Sequence, residues 1–142
     1  MGVTITATNA KYDFDMGYGG FFNLRKNIAL ALDDDFGQIY LRFAKCITDE
    51  DYKENDRLAK SVINQKHLDK QYADVLDFLY ASDEGGKIGY RTCKKISDML
   101  ERCLPALRTK TFRYANYAGH DYEDFIEFLK DCVKYHKNMR WH

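Results

Sequence analysis

Residues 79–95 (LYASDEGGKIGYRTCKK) carry the outline of a calcium-binding loop. Such a loop places oxygen donors at positions 1, 3, 5 and 12, a glycine at 6 for the sharp turn and an apolar residue at 8. With Gly86 at position 6, Ile88 falls at 8, but Ala81, Asp83, Gly85 and Thr92 fall at 1, 3, 5 and 12. One carboxylate stands where several aspartates and a bidentate glutamate are needed, so the turn is expected and a bound metal is not.

A second candidate is Gly17-Tyr18-Gly19-Gly20, between an expected strand and an expected helix, where backbone N–H groups can cradle a phosphate. A dinucleotide loop needs a third glycine where Phe22 stands, and a Walker loop needs Lys followed by Ser or Thr. The segment therefore reads as a tight turn that lets the helix pack on the preceding hairpin.

The third candidate is electrostatic. Between residues 87 and 113 lie Lys87, Arg91, Lys94, Lys95, Arg102, Arg108, Lys110 and Arg113, against only Asp98 and Glu101. Aromatic residues interleave: Tyr90, Phe112, Tyr114 and Tyr117. Guanidinium groups beside stacking rings suit an anionic ligand that carries bases, such as a nucleotide. The plainer reading is a solvated helix face over core aromatics. Sequence-specific nucleic-acid binding is not expected, since no helix-turn-helix or RNP-type motif accompanies the patch. The chain has 11 tyrosines, a residue favoured at protein interfaces for its apolar body and polar tip. Those on helix stripes belong to the core, and Tyr18, Tyr114 and Tyr117 are the surface candidates. The binding set is thus Tyr18, Lys87, Arg91, Lys94, Arg108, Lys110, Arg113, Tyr114 and Tyr117.

Catalytic signals are sparse. His120 and Asp121 are adjacent, but neighbours on one backbone rarely orient each other as a dyad, and Asp121 reads as a helix cap. No serine elbow, H-E-x-x-H or paired-carboxylate spacing occurs. A non-enzyme without cofactors or metals is expected. The four cysteines, Cys46, Cys93, Cys103 and Cys132, form no C-x-x-C pair and read as reduced core thiols.

The elements that must position these residues follow from periodicity. Val3, Ile5 and Ala7 alternate with threonines, and Tyr12, Phe14 and Met16 with aspartates, which gives a hairpin turning at Asn9-Ala10. From Phe21 the period becomes helical, through Leu24, Ile28 and Leu32. Asp33-Asp34-Asp35 favours the start of a second helix carrying Phe36, Ile39, Tyr40, Phe43 and Ile47. Thr48 before Asp49-Glu50-Asp51 starts a third, polar helix to about Lys66. Residues 67–81 form a fourth and 90–104 a fifth, stopped by Pro105. Residues 109–117 alternate weakly, as a strand or extended loop. A final helix carries Tyr122, Phe125, Ile126, Leu129, Cys132 and Val133, and the tail with Trp141 folds back. The expectation is one domain over residues 1–142, α+β and mainly helical, with about six helices and a small N-terminal β-hairpin.

Basic and acidic residues balance at 22 each, so no global field recruits nucleic acid or an anionic membrane. No apolar run approaches the ~20 residues of a membrane helix, and the N-terminus has no signal-peptide character. A cytoplasmic location is expected.

Three blocks, DMGYGGFFNLRKNIA (15–29), LYASDEGGKIGYRTCKKI (79–96) and the stretch from YANYAGHDYEDFIEFLKDCV to the closing MRWH (114–142), together resemble a group of small proteins encoded by phages, prophages and mobile elements of Gram-positive bacteria. The likeness spans most of the chain, less clearly 49–66. Relatives often carry Asp-Gly where this chain has Gly85-Gly86, which removes a further ligand from the calcium outline. No activity is established for the group, so the resemblance implies a genomic setting and no site residues. The expected function is that of a phage-type accessory protein that binds a macromolecule, a host or phage protein, and inhibits a host defence or regulatory protein in the bacterial cytoplasm. The alternative is a domain that sequesters a nucleotide or nucleotide-derived signal through the basic-aromatic segment.

Overall fold

The computed structural model describes residues 2–110, 112 and 120–142. The N-terminal alternation folds as expected, into β1 (Gly2–Thr6) and β2 (Phe14–Gly17), paired antiparallel with Val3 opposite Met16 and Ile5 opposite Phe14. Asn9 takes the left-handed conformation (φ 67°) in the connecting turn, which its short polar side chain tolerates. Two further strands complete the sheet, β3 (Gly86–Ile88) and β4 (Met139–Trp141), in the order β2-β1-β4-β3 with every pairing antiparallel. The row Ile5, Trp141, Gly86 faces the helices, and the row Thr6, Arg140, Lys87 faces away.

The helices are α1 (Tyr18–Leu32), α2 (Asp34–Leu41), α3 (Asp49–Lys66), α4 (Leu68–Tyr80), α5 (Tyr90–Arg102), the single turn α6 (Leu104–Leu107) and α7 (Asp121–Tyr135). The mainly helical α+β fold is therefore as the sequence suggests. Asp33 caps α2, its carboxylate accepting from the Phe36 N–H at 2.9 Å. Lys66, at the end of α3, reaches back to Asp33 and Asp35 at 3.0 and 2.6 Å. Thr48 and Asp51 form a reciprocal capping box at the start of α3. Under the sheet, Phe14 meets Phe112, Phe125 and Phe128 edge-on at 5.5–5.7 Å.

Several expectations are corrected. Tyr18, Gly19 and Gly20 are the first turn of α1, with Gly17 at its N-cap, rather than a loop before it. Gly20 is required by proximity, since a Cβ there would lie 2.2 Å from the Phe112 carbonyl oxygen. The second helix does not carry the apolar stripe to Ile47. The chain tightens into a 3-10 turn at Arg42–Lys45, Cys46 turns extended, and Ile47 stands 92% exposed. The fifth helix ends at Arg102, and Pro105 falls inside α6, where a missing N–H costs nothing. Asp121 is not a cap: His120 holds that position, and Asp121 is fully buried with its carboxylate accepting from the Phe112 N–H at 3.2 Å. Gly86 lies in β3 without a positive φ, and glycine is needed there because a Cβ would lie 2.4 Å from the Trp141 ring. Only Cys93 and Cys132 are core thiols, in contact between α5 and α7, whereas Cys46 and Cys103 are partly exposed. Contact with Cys132 and burial both push the Cys93 thiol up, so it stays protonated.

Candidate functional site

One corner of the helical layer combines aromatic rings with a buried cation. Phe22 and Arg25 arrive on α1, Tyr40 on α2, Phe43 on the 3-10 turn, Tyr52 on α3 and Tyr80 at the end of α4, around a cleft of about 160 Å³. The rings support one another. Phe22 stacks on Tyr40 at 5.7 Å and 9°, Tyr80 meets Tyr40 and Phe43 edge-on at 6.3 and 6.1 Å, and Phe43 lies 4.9 Å from Tyr52.

Arg25 sits at i+4 from Phe21 and i−4 from Ala29, on the buried stripe of α1, and is only 6% exposed. Its two terminal nitrogens donate to the carbonyls of Ala81 (2.7 Å) and Ser82 (3.3 Å), and its Nε has no hydrogen-bond partner. The guanidinium lies 4.2 Å from the Phe21 ring centre, with Phe78 and Trp141 at 5.2 and 5.9 Å. No carboxylate among the described residues hydrogen-bonds it, and burial lowers its pKa. Trp141 Nε1 donates to the same Ser82 carbonyl at 2.8 Å, so arginine and tryptophan together fasten the α4–β3 connection to the core.

Two tyrosines of the cleft, Tyr40 and Tyr80, are held neutral. Burial pushes Tyr40 up to about 12, partly opposed by Arg25 beside it, and its hydroxyl donates to the Leu79 carbonyl at 2.7 Å. Burial and the nearby Asp56 carboxylate push Tyr80 up as well, yet its hydroxyl completes no hydrogen bond. Lys60 sits 4.0 Å over the Tyr80 ring and 3.6 Å from Asp56 Oδ1.

At the mouth of the cleft the local chemistry is incomplete. The capping box at Thr48 usually comes with a hydrophobic staple, in which the residue before the cap packs on the fourth helical residue. Those residues are Ile47 and Tyr52. The staple is not formed: Tyr52 leans on Phe43 and is 48% exposed, and Ile47 is left in solvent.

The residues singled out by sequence are distributed differently. Tyr18 is 40% exposed on the first turn of α1. Lys87 is exposed on β3 beside Arg140, and Arg91 on the first turn of α5, 5.4 Å from the Tyr90 ring. Lys94 pairs with Asp98 at 3.1 Å, Lys95 with Asp74 at 3.0 Å and Arg108 with Glu123 at 3.0 Å. Lys110 is exposed beyond α6. Arg113, Tyr114 and Tyr117, with the expected extended segment around them, lie outside the described residues. Arg91, Lys94 and Lys95 share the first turns of α5, whereas Lys87 stands on β3 and Arg108 and Lys110 follow α6.

Comparison with protein-family models, curated proteins and solved structures gave no match. Function must be argued from the side chains. No group of three or more His, Cys, Asp or Glu among the described residues is arranged to hold a metal ion. Nor is any helix among them long and apolar enough to cross a membrane.

Arg25 is not among the residues singled out by sequence, because an arginine is ordinarily exposed. Its spacing from Phe21 and Ala29 was the available signal.

Proposed function

We propose that the protein acts by binding another protein, and that the corner formed by Ile47, Tyr52 and the aromatic cleft is its contact surface. One observation carries this reading: Ile47, the residue before the α3 cap, stands 92% exposed instead of forming a local staple, and Tyr52 on the first turns of α3 is 48% exposed. A solvated isoleucine five residues before Tyr52, which lines the aromatic cleft, has the composition of an interface core, where aromatic and aliphatic anchors contribute most of the affinity. The acidic first turn of α3, Asp49, Glu50 and Asp51, supplies a polar rim. The resemblance to proteins of phages and mobile elements supports the accessory role, in which the partner is a host defence or regulatory protein that is blocked by occupation.

Affinity capture from lysate of a Gram-positive bacterium, run in parallel with wild type and Ile47→Asp, tests the reading. A protein retained by wild type and lost with Ile47→Asp is the expected result. An identical set retained by both refutes this corner as the contact surface.

A further inference from the structure

The cleft that borders the proposed contact surface also has a chemistry of its own, testable whether or not a partner docks at Ile47. Aromatic enclosures commonly receive cations, but this one has Arg25 in its wall and Lys60 against the outer face of Tyr80. A second cation would meet the Arg25 guanidinium, which no carboxylate among the described residues hydrogen-bonds. An anion would meet the opposite: a buried positive charge whose hydrogen bonds go to two carbonyl oxygens, with Tyr40 and the Asp83 carboxylate near enough to act on it, and a donor, Nε, without a partner. Buried arginines normally face a carboxylate or phosphate, because only an anion offsets the desolvation of the charge. The size is informative too. About 160 Å³ matches the roughly 150 Å³ apolar cavity that accepts benzene, so the space suits a single six-membered ring.

We propose that the α1–α2–α4 cleft binds a small aromatic carboxylate, its ring against Phe22, Phe43 and Tyr80 and its carboxylate directed toward Arg25. Two carboxylates oppose an anion: Asp83, which acts on Arg25, and Asp56, whose charge Lys60 at 3.6 Å offsets.

The test is a titration of the isotopically labelled protein with benzoate and with its neutral isostere benzamide, followed by NMR at the backbone amides and the Arg25 Nε–H. Benzoate is expected to shift the amides of Phe22, Tyr40 and Ala81 and the Arg25 Nε–H signal. It should bind at least about ten-fold more tightly than benzamide, the factor a charge-assisted hydrogen bond supplies. Arg25→Met should abolish that preference. Because removing Arg25 also releases the Ala81 and Ser82 carbonyls, Tyr52→Ala at the half-exposed rim gives a second variant, expected to weaken benzoate several-fold with the fold intact. Equal affinity for benzoate and benzamide, or shifts confined to other surfaces, would overturn the proposal. Either result leaves the Ile47-dependent capture experiment unaffected, so the two readings fail separately.

Discussion

Replacing Gly86 by alanine is the most direct probe of how the sheet and the tail are locked together. A Cβ at this position would lie 2.4 Å from Trp141 Cζ2 and 2.8 Å from Cη2. The indole is buried, 2% exposed, so any shift disturbs its neighbours. It packs at 5.2 Å against Phe78 and 6.0 Å against Phe21, and its Nε1 donates to the Ser82 carbonyl. Overpacking in a filled core costs roughly 1–3 kcal/mol, and loss of the indole hydrogen bond adds about 1 kcal/mol. Together these predict a loss of about 2–4 kcal/mol for Gly86→Ala. The neighbouring glycine is the control: a Cβ at Gly85 meets only the Trp141 carbonyl oxygen at 3.5 Å, an ordinary contact. Gly85→Ala should stay within about 0.5 kcal/mol of wild type, since both changes restrict the unfolded chain alike. Urea unfolding followed by fluorescence of the single tryptophan reads both, and a midpoint drop of roughly 1–2 M is expected for Gly86→Ala alone. Equal midpoints for the two variants would refute the assignment of Gly86 to the Trp141 contact.

Thr48→Ala should destabilise by about 1 kcal/mol in the same assay, through loss of the capping box. Ile47→Ser should change stability by less than about 0.5 kcal/mol, because a side chain 92% exposed loses little contact when truncated. Alkali acts through the buried phenols. Tyr40 is raised to about 12 from an ordinary value of 10, so the folded state holds its proton more tightly than the unfolded state does. Its contribution to stability is therefore complete below pH 10 and declines as pH rises toward 12, with Tyr80 and Tyr122 acting in the same direction. A spectrophotometric tyrosinate titration should show these phenols ionising late and together with unfolding; a single ordinary step for all tyrosines would contradict their burial.

The helices were legible because their signals are local. Thr48 with Asp51, and the apolar spacing of Tyr122, Phe125, Ile126 and Leu129, locate α3 and α7 without reference to the rest of the chain. Strands β3 and β4 are not, since three residues each are too short for alternation to register, and they acquire their pairing only when residues 86–88 meet 139–141 across about fifty positions. The burial of Trp141 was foreseeable from its cost in water, but not its demand for a glycine opposite. Ile47 continued the period of α2 on paper, and the 3-10 turn followed by the capping box carried it out of that stripe. The cleft was invisible for a different reason: its rings come from five elements, and the reading that gathered charge and aromatics along residues 87–117 used proximity in sequence where proximity in space was needed.

Whether a protein docks at Ile47 is the decisive property of this molecule. A photo-crosslinking residue placed at position 47, and separately at exposed Lys134 on α7, in protein expressed in a Gram-positive host, measures this in place. The expected result is a discrete crosslinked protein from position 47 that is missing from position 134. Identical crosslinking patterns from the two positions would contradict the claim.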